Sequence, residues 1–496
     1  MLWLIVGNQS SAAATSDNGT RATQEVLEHH GDSARSGLFV APGLTWDRAR
    51  HLRRDPDFHA EVAGPVYAQP LYWRIPGSAK ALLLVATEQN LVYALDAETG
   101  ATVWKTSLGA PVALSSLPCG DINPLGITGT PVIDRRSQAM YLDAMVTGQP
   151  GDAPKHLIFA LSLKDGSVLS GWPIDVEVAL TASGKTFKSV VQNQRGALTI
   201  AGGTVYVPYG GHFGDCGTYR GWVVAVSLSA PHAVRSWSTR ARGGGVWATG
   251  GLSADGRGIY VATGNTIGAR TWSDGEAVIR LGLDLSFSGK PRDFFAPADW
   301  QQLDAEDADL GGTDPLLVSL PGATPSELVL ALGKDGNAYL LARQNLGGVG
   351  GSILVKKVSS DAIRTAPAYF SSAGAVFAAF AGRGVDCPAT TRGDLTVLRI
   401  AAGSPPDLSV AWCAEERGRG SPMITTTDGT ANPIVWAVGA EGDNRLHGFR
   451  GDTGAVIFSG GGNDEAMGQV RRFQTLIAAG GRLYVAADQR IYAFRF

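Results

Sequence analysis

The pattern of apolar and polar positions repeats along the chain in short alternating runs. One complete unit covers residues 67–109, where the runs YAQPLYW, ALLLVATEQN, LVYALDAETG and ATVWKTSLG follow one another. Short runs that are rich in apolar residues and bounded by Gly, Asn, Asp or Glu-Thr-Gly turn signals are typical of β-strands. The unit therefore predicts a small antiparallel sheet of four consecutive strands.

This unit recurs along the chain with a period of about 45–55 residues, which is the range of propeller blades. Weaker copies, at 160–172, 225–237 and 448–458, share a strand, a turn, a second strand and an aromatic residue near its end. We count seven full units, at 67–109, 127–178, 195–240, 246–296, 312–358, 363–413 and 420–460.

The C-terminal segment 473–496 holds three strand patterns and no fourth. An open ring would leave an unpaired strand edge, so a strand from elsewhere is expected to close it, and the segment 57–64 is the predicted donor. The sequence thus predicts an all-β fold, an eight-bladed β-propeller of four-stranded blades closed by an N-terminal strand, as a single domain over residues 36–496. Seven blades with a separate C-terminal cap is the competing interpretation.

The N-terminal residues 1–35 lack this pattern. The segment 1–7, MLWLIVG, is apolar but short, and small residues follow it, as at the end of a secretory signal. Residues 8–35 are polar and are expected to be poorly ordered, so we interpret 1–35 as a signal remnant or a disordered N-terminus. A signal remnant predicts a secreted or periplasmic protein. No apolar run reaches 18 residues, so no membrane span is predicted.

Composition narrows the classes of partner and cofactor. A net charge of −3 lacks the basic excess that nucleic-acid-binding proteins usually carry, so no nucleic acid is expected. The four cysteines form no CxxC or CxxCH spacing, which argues against a zinc ribbon and covalent haem. An even cysteine count in an exported chain suggests disulfides. A shared face and neighbouring blades favour Cys119–Cys216 and Cys387–Cys413 as a hypothesis.

The segment 94–104, ALDAETGATVW, resembles the Trp-docking repeat of pyrroloquinoline-quinone (PQQ) propellers, and the likeness extends over about residues 57–496. Blades 4 and 5 resemble quinoprotein alcohol dehydrogenases more narrowly. Trp247 follows a run of glycines, Asn265 ends a Thr-Gly-Asn strand, Asp309 lies six residues before a proline, and Lys334 begins a Lys-Asp-Gly turn. In a propeller of this topology, all four would emerge on one face, near the axis.

The resemblance implies a role for each of these positions. It makes Trp247 the flat floor for a PQQ ring, Lys334 a contact of that cofactor, Asn265 and Asp309 ligands of calcium, and Asp309 also the catalytic base. Each position has an ordinary alternative: inter-blade packing for Trp247, turn residues at Asn265 and Lys334, and a solvated carboxylate for Asp309.

Further candidates lie at the same predicted mouth. Arg195 and Arg364 precede first strands and would bind the carboxylates of the cofactor, and Arg419, Arg471 and Arg472 occupy similar positions. Members of the family bind calcium through a Glu in the blade-3 loop. Asp215 is the carboxylate of this chain nearest to that position, so the resemblance makes it a further candidate ligand of calcium. The chain departs from the family in having no adjacent cysteine pair and in having Ala308 where a Trp usually precedes the catalytic Asp.

Two functions remain open on the sequence. One is a PQQ-dependent dehydrogenase that oxidises a small alcohol or sugar and passes electrons to a separate acceptor, with PQQ and calcium as its cofactors. The alternative is a non-catalytic propeller scaffold whose mouth binds a protein, a glycan or a cell-surface partner. The ordered four-residue match favours the dehydrogenase, and the departures from the family pattern favour the scaffold.

Overall fold

The computed structural model describes residues 25–148, 152–389 and 391–496. The strands of these residues form eight sheets, and each sheet corresponds to one unit of the sequence repeat. First strands of neighbouring blades lie against each other, as they do around the centre of a ring. The prediction of an eight-bladed, almost all-β propeller is therefore confirmed.

The first four blades consist mainly of antiparallel strands in chain order. Blade 1 contains Leu71–Arg74, Ala81–Ala86, Leu91–Asp96 and Thr102–Ser107. Blade 2 contains Ala110–Pro111, Val132–Asp134, Ala139–Thr147, Lys155–Ser162 and Ile174–Asp175. Blade 3 contains Gln192–Asn193, Thr199–Ala201, Thr204–Gly211, Trp222–Ser227 and Val234–Ser238. Blade 4 contains Ser253–Asp255, Gly258–Thr263, Ala277–Leu281, Phe294–Ala296 and the added strand Gly348–Val349.

The remaining blades repeat this plan. Blade 5 contains Leu316–Ser319, Glu327–Leu332, Asn337–Ala342 and Leu354–Lys357. Blade 6 contains Ala368–Ser372, Ala375–Ala381, Leu395–Ala401 and Asp407–Ala414. Blade 7 contains Leu38–Val40, Met423–Thr426, Ile434–Val438, Leu446–Arg450 and Val456–Ser459. Blade 8 contains Arg53–Arg54, Ala60–Glu61, Leu476–Ala479, Arg482–Ala487 and Arg490–Arg495.

Helices are short and lie in the connections. The α-helices are Trp46–Ala49, Val176–Ala182 and Trp300–Glu306, and the 3-10 turns are His29–Gly31, Leu114–Ser116, Ser189–Val191, Pro291–Asp293, Leu310–Gly312 and Asn463–Glu465. Within the described residues, none of the helices is long and apolar enough to cross a bilayer.

Burial along a strand depends on its place in the blade. Ala81–Ala86, the second strand of blade 1, is buried at every position, because a blade has a neighbour on each face. In the outer strand Thr102–Ser107, Trp104 is the buried position. Its indole Nε1 donates to the Leu163 carbonyl of blade 2 at 3.1 Å. The Trp that closes the repeat thus joins one blade to the next, as the resemblance implied.

Glycine is required where such a Trp ring meets the next blade. Gly166 has a φ of +72°, and a Cβ there would lie 2.5 Å from a Trp104 ring atom. Gly454 repeats this arrangement against Trp412, with a φ of +71° and a nearest ring atom at 2.6 Å. A side chain would clash with the ring and strain the turn, which explains the Gly at the end of the repeat's turn.

The last blade takes its outer edge from the N-terminal part of the chain. Arg53 and Arg54 pair antiparallel with Arg495 and Phe494, and Ala60–Glu61 pairs further along the same strand, Arg490–Arg495. The edge of that strand is therefore covered by residues that directly precede blade 1.

Residues 25–41 wind around the centre of the ring. Their hydrogen-bond partners lie in one strand of each of seven successive blades: Tyr72, Ile133, Thr199, Ala254, Leu317, Tyr369 and Ile424. The expectation that the folded body begins at residue 36 needs a correction, because residues 25–35 are part of it. The segment is held by backbone hydrogen bonds, which a hydrophobic pattern does not reveal. Residues 1–24, including the proposed signal remnant, lie outside the described residues.

Arg35 fixes this segment to the blades. Its guanidinium group is fully buried and donates to the carbonyls of Leu252 and Leu198, both at 2.9 Å, and of His29 at 3.0 Å. It also donates to Glu28 Oε2 at 3.1 Å. The centre of the ring is therefore filled by a hydrogen-bonded charged group as well as by apolar side chains.

Candidate functional site

One cleft of about 530 Å³ at one end of the ring is lined by seven of the residues predicted from the sequence: Arg195, Asp215, Trp247, Asn265, Asp309, Lys334 and Arg364. They lie in connections of blades 3 to 6, next to strands whose ends meet at this mouth. The structure therefore brings the predicted residues together, and their chemical roles stay predictions. Arg419 and Arg472 also line the cleft, whereas Arg471 does not and instead pairs with Asp488 at 2.6 Å.

Asp309 is the centre of the polar contacts in this cleft. Its Oδ1 accepts from the backbone N–H of Asn265 at 2.7 Å, and its Oδ2 accepts from Trp247 Nε1 at 3.2 Å. Lys334 Nζ lies 2.5 Å from the same Oδ2. Burial raises the pKa of the Asp309 carboxyl, and the charge of Lys334 opposes part of that rise. Both carboxylate oxygens are thus fixed in direction.

Lys334 is held between two carboxylates and an aromatic ring. Its Nζ lies 3.0 Å from Asp307 Oδ1, 3.2 Å from the Asp307 carbonyl, and 5.2 Å from the centroid of the Trp247 ring. Burial alone would lower the pKa of Lys334, but the charges of Asp309 and Asp307 outweigh it and raise that pKa. Lys334 is therefore a permanent cation at neutral pH.

Glu276 is a second acid beside Asp309 that sequence reasoning missed. It is fully buried, its Oε2 accepts from the backbone N–H of Leu310 at 2.6 Å, and its Oε1 has no hydrogen-bond partner among the described residues. Burial and the charge of Asp309 raise the pKa of Glu276 well above its usual value. Its surroundings therefore favour the neutral form of the acid. Its segment, SDGEAV, carries no signal that separates it from a turn.

Several arginines also line the cleft. The side chains of Arg364 and Arg419 have no hydrogen bond or ion pair within the described ranges. Arg195 Nε is buried without a partner, and its guanidinium carbon lies 4.9 Å from the centroid of the Phe473 ring. Arg472, in contrast, pairs with acidic side chains of the rim. Guanidinium groups that lack anionic partners are suited to bind carboxylates of a ligand.

The blade-3 loop, residues 210–221, forms one rim of the cleft. His212 is buried there, whereas Phe213 is 69% exposed. The Tyr219 hydroxyl donates to Asp215 Oδ1 at 2.5 Å. A disulfide between Cys119 and Cys216 attaches the loop to the connection between blades 1 and 2.

A second disulfide joins Cys387 to Cys413 in blade 6. Both cysteine pairings hypothesised from the sequence are therefore confirmed.

Two of the three predicted calcium ligands, Asp215 and Asp309, are engaged by other groups of the protein. Across 25–148, 152–389 and 391–496, no group of three or more His, Cys, Asp or Glu side chains is placed to hold a metal ion. Asp215 is engaged by Tyr219, and both oxygens of Asp309 already face N–H donors or an ammonium group. Calcium prefers six to eight oxygen ligands. The donor set differs from the one that the resemblance implied.

The residues fit an anionic planar ligand better. The cleft is lined by the ring of Trp247 and by guanidinium groups without anionic partners. Its volume of about 530 Å³ is within the range of small-molecule sites.

Comparison with known proteins agrees with this fold. A family model described as outer membrane protein assembly factor BamB matches residues 45–118. The quinohemoprotein alcohol dehydrogenase of Comamonas testosteroni superposes with a TM-score of 0.64 at 15% identity, over 96% of this chain and 81% of that chain. A quinohemoprotein alcohol dehydrogenase of Pseudomonas putida HK5 superposes with a TM-score of 0.65 at 12% identity, over 95% of this chain and 79% of that chain.

A europium-containing methanol dehydrogenase gives a TM-score of 0.61 at 14% identity, over 95% of this chain and 89% of that chain. No curated protein matches the sequence. At sequence identities this low, the superpositions show that the fold is shared. The resemblance read from the sequence is confirmed at that level: the chain shares the β-propeller fold of these dehydrogenases, and its residues 45–118 match the family model.

Proposed function

We propose that the cleft binds a planar, anionic quinone of the PQQ class and that the protein oxidises a small alcohol or sugar there. The observation that carries the proposal is that guanidinium groups without anionic partners share one cleft with Trp247 and the Asp309–Lys334 pair. A flat ring with carboxylate substituents matches both the indole ring and the guanidinium groups. The shared fold with quinohemoprotein alcohol dehydrogenases supports the same reading.

A bound quinone would supply the two-electron acceptor, and the protein would supply binding and orientation. Trp247 offers an apolar surface for stacking, and its Nε1 is already committed to Asp309. Arg364 and Arg419 would bind carboxylates of the ligand. Arg195, which carries an unpartnered Nε, would do the same from the deeper end of the cleft.

Asp309 is the residue best placed to take a proton from a substrate hydroxyl. Burial raises the pKa of its carboxyl, which makes it a stronger base than an exposed aspartate. The Asn265 N–H and the Trp247 indole fix its orientation, and Lys334 compensates its charge. These contacts hold the base while the substrate approaches from the open side of the cleft.

The electrons would pass to a separate acceptor, since the sequence holds no haem-attachment motif of the CxxCH type. Two disulfides favour an oxidising compartment, so secretion or a periplasmic location belongs to the proposal.

Reconstitution tests this function. The purified protein is incubated with PQQ, with and without calcium, and is desalted before its quinone absorbance is read. Dye-linked oxidation of a panel of alcohols and sugars follows. We expect retained quinone and turnover, and we expect Asp309→Asn to retain quinone but lose turnover by about a hundredfold or more, the usual contribution of a general base. Absence of both quinone and turnover would reject the proposal.

A non-catalytic scaffold is the second candidate, and the observation that favours it is the exposed Phe213 on the rim. A large apolar side chain at a mouth is suited to contact a protein or a glycan. The family model that matches residues 45–118 is described as an outer membrane protein assembly factor. Under this function, Phe213→Ser would abolish partner binding, while the reconstitution experiment would find no quinone.

A further inference from the structure

Beside Asp309, where the resemblance implies a metal ion, the structure places an ammonium group. We infer that Lys334 takes the place of a divalent cation in this cleft and that the cleft binds its quinone without a bound metal ion. The part of this inference that concerns the quinone rests on the proposed function. The claim that Lys334 takes the place of a divalent cation does not depend on the quinone and is tested separately.

The contacts of Lys334 are those of a bound cation. Three oxygens surround its Nζ: Asp309 Oδ2 at 2.5 Å, Asp307 Oδ1 at 3.0 Å and the Asp307 carbonyl at 3.2 Å. An ammonium group has three N–H donors, so these oxygens use all of them. The side chain is 11% exposed, so the pair is largely removed from water.

Backbone hydrogen bonds also hold Lys334 at this position. The backbone N–H of Lys334 donates to the Asp309 carbonyl at 2.9 Å. Lys334 is also the second residue of the tight turn 333–336, in which the Gly336 N–H donates to the Gly333 carbonyl at 2.9 Å. Its ammonium group is therefore directed at Asp309 by local structure and not only by attraction between charges.

A divalent ion at Asp309 would have to compete with this ammonium. The two cations would repel each other in a site that is largely closed to water, where charge interactions are stronger than in solution. The other predicted carboxylate ligand does not compensate, because Asp215 is bound by Tyr219. The inference therefore rests on the donors and charges present in the cleft.

Without the lysine, the same place would be anionic. Asp309 and Asp307, which both contact the Lys334 ammonium, would then have no compensating cation between them. Removal of the Lys334 charge should therefore create affinity for a hard cation, because such ions bind carboxylate oxygens. This gain is the distinctive consequence of the inference.

Terbium is the probe that reports this directly, since a nearby Trp sensitises its emission and Trp247 Nε1 lies 3.2 Å from Asp309 Oδ2. Lys334→Met removes the charge and keeps an unbranched side chain. We expect weak emission from the wild type and saturable emission from Lys334→Met, with a Kd lower by about tenfold or more. Adding Trp247→Phe to that variant should remove the emission.

Lys155→Met is the matched control, because Lys155 pairs with Asp175 at 3.1 Å outside the cleft, and it should behave like the wild type. The inference is overturned if the wild type gives Trp247-dependent emission as strong as Lys334→Met, or if Lys334→Met folds, by circular dichroism, and shows no gain. If Lys334→Met does not fold, calcium titration calorimetry of the wild type decides: absence of binding heat supports the inference, and stoichiometric binding overturns it.

PQQ retention in the presence of a metal chelator separates this inference from the proposed function. Equal retention with chelator and with calcium supports both. If PQQ is retained with calcium but is lost with the chelator, the inference of a metal-free site is overturned and the quinone function still stands. No retention under either condition rejects the quinone function, and the terbium result alone then decides the role of Lys334.

Discussion

Arg35→Ala should destabilise the whole propeller, because Arg35 ties the N-terminal segment to the centre of the ring. The substitution removes the ion pair with Glu28 and leaves the carbonyls of His29, Leu198 and Leu252 without this donor. Breaking a buried ion pair from one side costs about 3–5 kcal/mol. Water that enters the space left by the side chain would offset part of the cost of leaving these carbonyls without a donor. We therefore expect the free energy of unfolding to fall by about 4–5 kcal/mol in total.

This loss converts to a measurable shift in the unfolding temperature. An unfolding entropy of about 2 cal/mol/K per residue gives about 1 kcal/mol/K for a chain of this length. Arg35→Ala should therefore lower the Tm by about 4–5 °C in differential scanning calorimetry. Hydrogen exchange should also increase at the backbone of residues 25–41, which hydrogen-bond to one strand of each of seven successive blades.

Arg490→Ala is the matched control for this prediction. Arg490 pairs with Glu61 at 3.3 Å on the surface, where 48% and 81% of the two side chains are exposed. Exposed ion pairs contribute at most about 1 kcal/mol, so the control should shift the Tm by about 1 °C or less. If Arg35→Ala lowers the Tm no more than this control does, the view that residues 25–41 stabilise the ring through Arg35 is refuted.

Three further predictions address charge, ligand binding and the rim loop. Burial raises the pKa of Asp314 to about 7, and an unfolded aspartate titrates near 4, so the folded state holds an extra proton between these values and stability falls as pH rises through them. Asp314→Asn should flatten that decline in Tm, and an unchanged slope would contradict it. Arg364→Gln and Arg419→Gln should each weaken PQQ binding by about tenfold or more in equilibrium dialysis, as expected for a lost charged hydrogen bond; an unchanged Kd would remove that residue from the site. Cys119→Ser, which frees Cys216, should lower the Tm by a few degrees and speed proteolysis of the blade-3 loop, whereas equal proteolysis rates would show that the disulfide does not restrain it.

The propeller could be predicted because its physical signal is local and repeated. Each unit shows strand-length apolar runs and turn residues, and a Trp such as Trp104 marks the contact with the next blade. The mouth could be predicted for a related reason. Once strand order is known, each connection belongs to one end of the ring, so Trp247, Asn265, Asp309 and Lys334 had to share it.

The parts that escaped prediction depend on contacts between distant segments. Residues 25–35 look like a polar terminus, yet their backbone bonds to successive blades. Glu276 lies in a turn-like stretch and becomes a buried acid only because Leu310 and Asp309 pack against it. That Lys334 would lie 2.5 Å from Asp309 is set by the distance between two loops and has no signature in sequence.

The most direct test of the central claim is a crystal structure of the protein soaked with PQQ. The account predicts ligand density in the mouth cleft, between the ring of Trp247 and the guanidinium groups of Arg364 and Arg419, with Lys334 still paired to Asp309. Clear density for PQQ at another place, or an empty cleft at a PQQ concentration that saturates binding in solution, would contradict it.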